Sequence, residues 1–222
     1  MASHLDLEEQ EQLAELKHFW SRWGNLISWI VTAALVAYAA WTGWQFWNHR
    51  QAAQAAVLYD TVERAAATAD LTLLERSATD IEDKFARTTY AHQSALLAAR
   101  ILFEHDNTDA ARKQLQWVIE RGSDEAYMAL ARLRLAGLLI QTQALDEARQ
   151  TLTAKVPAEF EPLLADRLGD IDMLQNKPQD AIANYQKAWQ GMEANNEYRR
   201  LVAVKLAALG KDPEETSTAE KK

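Results

Sequence analysis

The chain contains one uninterrupted apolar stretch near its N-terminus. From Trp23 to Asn48 no residue is charged, and the segment reads WGNLISWIVTAALVAYAAWTGWQFWN. At ~1.5 Å per residue, a helix of this length crosses a hydrocarbon core of ~30 Å. Indole rings favour the headgroup boundary, and six tryptophans border the stretch: Trp20, Trp23, Trp29, Trp41, Trp44 and Trp47. The pattern predicts a single transmembrane helix over residues 23–48, in contact with the lipid bilayer.

Two other interpretations of this stretch compete with a membrane anchor. A buried core helix is one, although core helices rarely run this far without a charge. A cleaved signal peptide is the other, because Ala37-Tyr38-Ala39 fits a small-x-small cleavage site. Against cleavage, the preceding tail is long and acidic and the apolar run continues to Phe46.

Some polar and small residues interrupt the apolar stretch. Ala39 and Gly43 form a small-xxx-small pair, which is typical of helices that pack together in a bilayer. Single polar residues are also tolerated near an interface. The polar members are Asn25, Ser28, Thr32, Thr42 and Gln45.

Beyond Asn48 the apolar pattern changes to the 3.6-residue period of amphipathic helices, and it repeats. Three segments align on Ala111, Ala148 and Ala181, which are 37 and 33 residues apart. Another small residue stands twelve positions before each: Ala99, Ala136 and Gly169. This is the tetratricopeptide pattern, a ~34-residue helix–turn–helix in which small residues lie where paired helices approach closest.

The pattern extends on both sides of these three repeats. Residues 51–69 and 71–86 predict a further helical pair, a degenerate first repeat, and residues 197–209 predict a capping helix that ends at Gly210. The fold class expected is all-α, with an N-terminal transmembrane helix followed by a tetratricopeptide-like α-solenoid over residues 49–209. An acidic tail over residues 1–22 precedes it, and a polar, disordered tail is expected over 210–222. A helical bundle without repeats is the alternative.

Composition and motifs narrow the function to protein binding. The net charge of −8 and pI of about 5.2 give no basic surface for nucleic acid, and the chain has no cysteine. The five histidines show no HExxH spacing, and no GxSxG, GxGxxG or GxxxxGK[ST] motif occurs. We therefore expect no enzyme, no metal site, no cofactor and no small-molecule substrate.

A repeat array presents a concave groove, lined mostly by the first helix of each repeat. This lining suits an amphipathic or partly extended polypeptide and lacks the Lys and Asn cluster with which some tetratricopeptide domains hold a C-terminal carboxylate. Part of the apolar lining could equally be core. Register from the alanine anchors predicts the following groove residues: Gln93, Leu96, Arg100, Phe103, Leu133, Ile140, Leu163, Asp166, Asp170 and Met173.

The whole arrangement resembles a known family. An EEQEQLAELKHFW tail, a Gly24-Asn25 entry into a Trp-rich span, an Ala-rich helix and the block LGDIDMLQNKPQDAIANYQKAW resemble the YfgM-like ancillary subunits of the bacterial Sec translocon. The resemblance implies an inner-membrane protein with a cytoplasmic tail and a periplasmic domain. It implies association with the SecYEG translocon and with a membrane-anchored periplasmic chaperone of the prolyl-isomerase type. The implied role is to pass newly translocated proteins to periplasmic chaperones.

Orientation and role stay open at the level of the residues. Lys17 and Arg22 flank one side of the span, and Arg50 and Arg64 flank the other, so the positive-inside rule is undecided. Since a long C-terminal domain can cross regardless of charge, we expect the tail inside and the domain outside. Besides a translocon-associated adaptor, the residues allow a holdase that binds unfolded clients in its groove, or an organiser of another envelope complex.

Overall fold

The computed structural model describes residues 7–211, with side-chain environments from residue 13 onward. The predicted C-terminal tail lies outside the described residues from position 212. Within them the chain forms nine α-helices and one short 3-10 helix, Ala158–Phe160. The α-helices are α1 Leu7–Ala67, α2 Leu71–Phe85, α3 Thr89–Glu104, α4 Thr108–Arg121, α5 Glu125–Gln141, α6 Leu145–Leu152, α7 Glu161–Leu174, α8 Pro178–Gly191 and α9 Glu197–Ala208.

The first of two compact units covers residues 1–51 and contains the apolar stretch. The stretch lies within α1, where the most apolar 18-residue window has a mean hydropathy of 1.6 and none of it is buried. Large apolar side chains such as Trp29, Ile30 and Val36 are more than half exposed. Because a core helix would bury these groups, the exposed surface is that of a membrane-spanning helix.

The second unit begins at residue 52, and its described part, residues 52–211, is built from paired helices. From α2 to α9 each helix packs against the next one in the chain, which is the packing of a solenoid. One core extends from Val62 at the end of α1 to Ile171 in α7. A smaller core joins α7, α8 and α9 around Tyr185 and Val202. The all-α, tetratricopeptide-like fold predicted from the repeats is confirmed.

The turn between the two helices of each pair has the same geometry four times. One residue in each turn has a left-handed backbone, with φ between 52° and 61°. The amide of the residue that follows donates to the carbonyl five positions earlier, at 2.8–3.0 Å, as in a Schellman motif. The turn between α1 and α2 belongs to this set, so residues 52–85 form a first repeat. The four left-handed residues are Ala69, Asp106, Gln143 and Asn176.

The small residues of the repeat pattern are all buried at helix contacts. Ala111, Ala148 and Ala181 are fully buried. A Cβ placed on Gly169 would stand 2.5 Å from the Tyr185 ring, so only glycine lets α8 approach α7 this closely. The middle repeat departs most from the pattern, since α6 has only eight residues and ends before Lys155.

Candidate functional site

Four of the five polar residues of the membrane segment share one face of α1 with Leu35 and Ala39. Positions 25, 28, 32, 35, 39 and 42 follow each other in steps of three and four, which places them in line along a helix. We call the face carrying Asn25, Ser28, Thr32, Ala39 and Thr42 the span stripe. Gly43 lies beside it, one turn beyond Ala39. Of the five polar residues noted in this segment, only Gln45 lies off the stripe.

The chemistry of the span stripe fits contact with another helix. Thr32 Oγ1 donates to Ser28 O at 2.8 Å, and Thr42 Oγ1 donates to Tyr38 O at 2.9 Å, so these hydroxyls are satisfied within α1. Nothing lies within 4 Å of a Cβ built on Gly43. Small side chains let a second backbone approach, and interhelical packing drives association in lipid. Sequence reasoning identified these residues but missed that they form one face, which their spacing alone reveals.

The predicted groove residues occupy three different environments. Arg100 and Met173 are exposed. Partly buried apolar residues that pack against the cores form a second group: Phe103, Leu133, Ile140 and Leu163. The polar residues Gln93 and Asp170 are half-buried, and each is bonded to a neighbouring helix: Gln93 Nε2 donates to Tyr127 Oη at 2.9 Å, and Asp170 accepts from Tyr185 and Lys205.

Two of the predicted groove residues are corrected by the structure. Leu96 is 5% exposed and belongs to the main core, because α5 packs over that side of α3. Asp166 is 1% exposed, because α9 covers it. The alanine register predicts which face of α7 carries Asp166 but does not reveal that the capping helix covers this residue.

The capping helix α9 is attached to α7 through these carboxylates. Lys205 Nζ donates to Asp166 at 2.8 Å and to Asp170 at 2.6 Å. Tyr198 Oη donates to Asp166 Oδ2 at 2.7 Å. Burial and the adjacent Asp166 raise the pKa of the Tyr198 hydroxyl, so it remains a donor at neutral pH. Asp166 and Asp170 therefore hold the end of the solenoid together and are not free for a partner.

The seam between α3 and α5 carries basic and aromatic groups, of which the sequence analysis predicted only Arg100. Arg134 is exposed, and its Nη1 donates to Leu96 O at 3.0 Å. Burial of part of its guanidinium and the nearby charge of Arg100 lower the pKa of Arg134. We call Arg100 and Arg134 the arginine pair. Arg134 follows Tyr127 by seven residues on α5, and that heptad spacing was the available signal.

Three tyrosines from consecutive first helices stand beside this seam. The ring centroids of Tyr59 on α1 and Tyr90 on α3 are 5.6 Å apart. Tyr127 on α5 lies close enough to raise the pKa of the Tyr59 hydroxyl. Burial first, then the neighbouring Glu63, Tyr127 and Tyr90, raise the pKa of Tyr59. We call these three residues the tyrosine row. Its members are half-buried, so part of each side chain is open to solvent.

His92 and Glu82 are buried titratable side chains without an ion-pair partner among the described residues. His92 is 1% exposed between Trp117 and Tyr127, its Nε2 accepts from Ser123 N at 3.2 Å, and burial lowers its pKa. Burial raises the pKa of Glu82 to about 7, helped by Asp83 and opposed by a hydrogen bond with Gln114.

Two depressions on the described surface have linings that mix polar and apolar groups. One of about 420 Å³ lies along α2, between Leu71 and Asp80 and beside Asn107. Another of about 250 Å³ is lined by Arg132, Lys155 and Pro157, among others. No group of three or more His, Asp or Glu side chains within the described part of the chain is placed to hold a metal ion.

Comparisons with known proteins add to this geometry. Residues 17–211 match the family described as a tetratricopeptide repeat-like domain. The chain is 32% identical over 213 residues to the ancillary SecYEG translocon subunit of Neisseria gonorrhoeae, covering 94% of this chain and 100% of that protein. It is 26% identical over 186 residues to the protein of the same description from Haemophilus influenzae, covering 83% and 90%.

Proposed function

This chain belongs to the family of ancillary SecYEG translocon subunits with a tetratricopeptide repeat-like domain, and on that premise we propose that it is a membrane-anchored scaffold that associates with the SecYEG translocon. It is a single-pass protein of the bacterial inner membrane. One observation carries the proposal: a helix whose most apolar 18-residue window is not buried and a solenoid of four repeats are parts of one chain.

The finer role is to link translocated proteins to periplasmic chaperones. The tail of residues 1–22 lies in the cytoplasm, and the repeat domain lies in the periplasm, where it docks a membrane-anchored chaperone of the prolyl-isomerase type. What supports this is the resemblance of the tail, span and last repeat, together with a solenoid of the kind that binds polypeptides.

A phosphatase reporter placed after Leu209 tests the orientation. Such a reporter is active only outside the cytoplasm, so we expect activity there and none when it replaces the tail before residue 13. The opposite pattern would exclude a periplasmic domain while leaving the membrane anchor in place.

Exposed apolar surface distinguishes the adaptor from a holdase. Beyond residue 51, the large apolar side chains that the structure shows exposed are Val57, Leu73, Met173, Leu174, Leu201 and Val204. They are spread over four helices and do not form the broad apolar patch that holding unfolded chains requires. We therefore favour the adaptor. Suppression of client aggregation by the purified full chain alone, at stoichiometric ratio, would instead support a holdase.

Co-purification from detergent-solubilised inner membranes tests the association. Tagged full-length chain should retain SecYEG and the prolyl-isomerase-type chaperone after washing, and a tagged, unrelated single-span protein expressed at the same level should not. Absence of SecYEG subunits at every detergent concentration that keeps the translocon intact would exclude the proposal. If the chain instead organises another envelope complex, the proteins that co-purify with it would identify that complex.

A further inference from the structure

Arg134 differs from two guanidinium groups that join helices through a carboxylate. Like Arg199, whose Nε donates to Trp189 O at 3.1 Å, it has a backbone carbonyl as its partner. Arg112 bonds Glu147, and Arg149 bonds Asp172, so both of those interhelical bonds end on a carboxylate. Arg134 bonds the carbonyl of Leu96, and no carboxylate of the described residues lies within 4 Å of it. The most influential neighbouring charge is Arg100, which has the same sign.

The local charge balance around this pair is unfavourable as it stands. Arg100 Nε is 3.7 Å from Glu104, a long and exposed contact, so this ion pair compensates little of the Arg100 charge. Like charges that share a site destabilise each other, and a second carboxylate would relieve the repulsion. A guanidinium fork binds a carboxylate with two parallel hydrogen bonds, and Arg134 has donors left after bonding Leu96.

The tyrosine row extends the site in one direction. Tyr127 and Arg134 are seven residues apart on α5, about 10 Å along the helix axis. An extended peptide in the polyproline II conformation rises about 3.1 Å per residue with three residues per turn, so side chains three residues apart span about 9 Å on the same face. Because Tyr127 Oη accepts a bond from Gln93, its own proton remains available to a ligand acceptor.

We propose that this seam of α3 and α5 binds a polypeptide segment in the extended polyproline II conformation, in which an acidic side chain seats on Arg100 and Arg134 and an aromatic side chain three residues away packs on Tyr90 and Tyr127. The proposal rests on the polypeptide-binding function proposed above and specifies its ligand chemistry. The carboxylate is that of an internal Asp or Glu, not of a chain terminus. An acidic side chain complements the charge of the arginine pair. The net negative charge of the whole chain does not prevent this binding, because charges more than ~10 Å away are screened at 0.1 M salt.

Two matched peptide probes test this ligand. Each is a 12-residue peptide of Ala, Ser and Gly with acetylated and amidated ends, carrying either Phe-x-x-Glu or Phe-x-x-Gln, and the reverse order is tested in parallel. Binding to the full-length chain in detergent is followed by fluorescence anisotropy. We expect the Glu probe of at least one order to bind about tenfold tighter than its Gln partner, as a charge-assisted hydrogen bond provides. Equal binding of both probes in both orders would overturn the proposal.

Variants assign the effect to the arginine pair. Arg134→Gln should reduce the preference for Glu to less than about twofold. Arg100→Gln should reduce it partly, and since the Arg100 side chain is 59% exposed, this variant should fold normally. Arg121→Gln, at an exposed position at the end of α4, removes the same charge and should keep the full preference. Preference retained in both Arg134→Gln and Arg100→Gln would overturn the proposal.

Two controls separate this inference from competing outcomes. The C-terminal sequence carries Asp212, Glu214, Glu215 and Glu220. If discrimination appears only after these four are changed to amides, the tail and not a partner is the ligand, and the proposal fails. SecYEG co-purification is measured on the same preparations. If SecYEG co-purifies but the Glu and Gln probes bind equally, only this inference is excluded. If the probes are distinguished but SecYEG does not co-purify, only the proposed function is excluded.

Discussion

Gly169 and Gly137 are both glycines inside helices, but their surroundings are opposite. A Cβ on Gly169 would collide with the Tyr185 ring at 2.5 Å, whereas nothing lies within 4 Å of a Cβ on Gly137. Gly169→Ala should therefore lower the free energy of unfolding by about 1–3 kcal/mol through overpacking. Gly137→Ala should raise it by about 0.5–1 kcal/mol, since alanine has less backbone entropy to lose.

Urea unfolding of the full-length chain in mild detergent, followed by far-ultraviolet circular dichroism, measures both glycine variants. Each serves as the other's control, because the same methyl group is added to the same kind of helix. A decrease of similar size in both would mean that the Tyr185 contact does not decide the effect.

The buried carboxyl of Glu82 predicts a pH dependence of stability. Its pKa is about 7 in the folded chain because burial disfavours the charged form, against 4.5 as the ordinary value. Between these values the folded state binds the proton more tightly, so this group's stabilisation is full below pH 4.5 and is lost as the pH rises through 7. Glu82→Gln keeps the size and should remove that loss, making the chain more stable than the parent at pH 8.

His92 acts in the opposite direction and must be separated from Glu82. Burial lowers its pKa, so the folded state loses stability as the pH falls below the ordinary value of 6.5. Melting temperatures at pH 5, 6, 7 and 8 for the parent, Glu82→Gln and the exposed control Glu75→Gln distinguish the two groups. If the parent and Glu82→Gln melt alike at pH 8, the carboxyl does not titrate as described.

At the scale of whole elements, sequence periodicity was a good guide to helices and a poor guide to contacts between them. The small residues at Ala99, Ala136 and Gly169 defined the repeats because close helix packing admits little else. The first repeat is far weaker in sequence, and it becomes plain only from the shared left-handed turn at Ala69. That geometry has no strong signal, since Ala, Asp, Gln and Asn fill the four equivalent positions.

The groove illustrates why the site was harder to predict than the fold. The register predicts which face of each repeat's first helix lines the groove. Whether a residue on that face is buried depends on a helix that comes later in the chain. The register predicts Asp166 and Leu96 as groove positions, but α9 covers Asp166 and α5 covers Leu96. The arginine pair was half missed for the same reason, because Arg134 reaches back over α3 to Leu96.

The docking of α9 depends on Lys205. Removing its ammonium leaves Asp166, 1% exposed, with one hydroxyl donor from Tyr198. Breaking one partner of a buried ion pair costs about 3 kcal/mol or more, because the remaining charge is uncompensated. Lys205→Ala should therefore release α9 and raise amide hydrogen exchange across residues 197–208, with little change in α3 and α4.

Lys211→Ala is the control for α9, because Lys211 is exposed just beyond the helix. A triple variant, Lys205→Met with Asp166→Asn and Asp170→Asn, removes the stranded charges and should restore part of the protection. Unchanged exchange in Lys205→Ala would show that apolar contacts of Val202 and Leu206 hold α9 without the ion pair.

At the scale of the whole molecule, the membrane span offers the most direct test of how the chain associates with SecYEG. The uncharged length and the bordering tryptophans predicted the anchor from sequence alone, because lipid permits few alternatives. What the anchor contacts depends on which face is packed, and the span stripe offers small side chains where a second helix can approach. Enlarging those side chains should block that approach without affecting insertion.

The variant Ala39→Ile with Gly43→Ile adds bulk to the span stripe. The control Ala37→Ile with Ala40→Ile adds comparable bulk outside it, and Ile favours the bilayer core in both, so membrane levels should be equal. We expect SecYEG recovery in the co-purification to fall about tenfold for the stripe variant, a loss of about 1.4 kcal/mol, and to stay near the parental level for the control. Equal recovery by both variants would mean that the association depends on the repeat domain, since the anchor would then contribute only membrane localisation. If SecYEG recovery falls equally in both variants, added bulk anywhere in the span weakens the association. The span stripe then has no special role as a contact face.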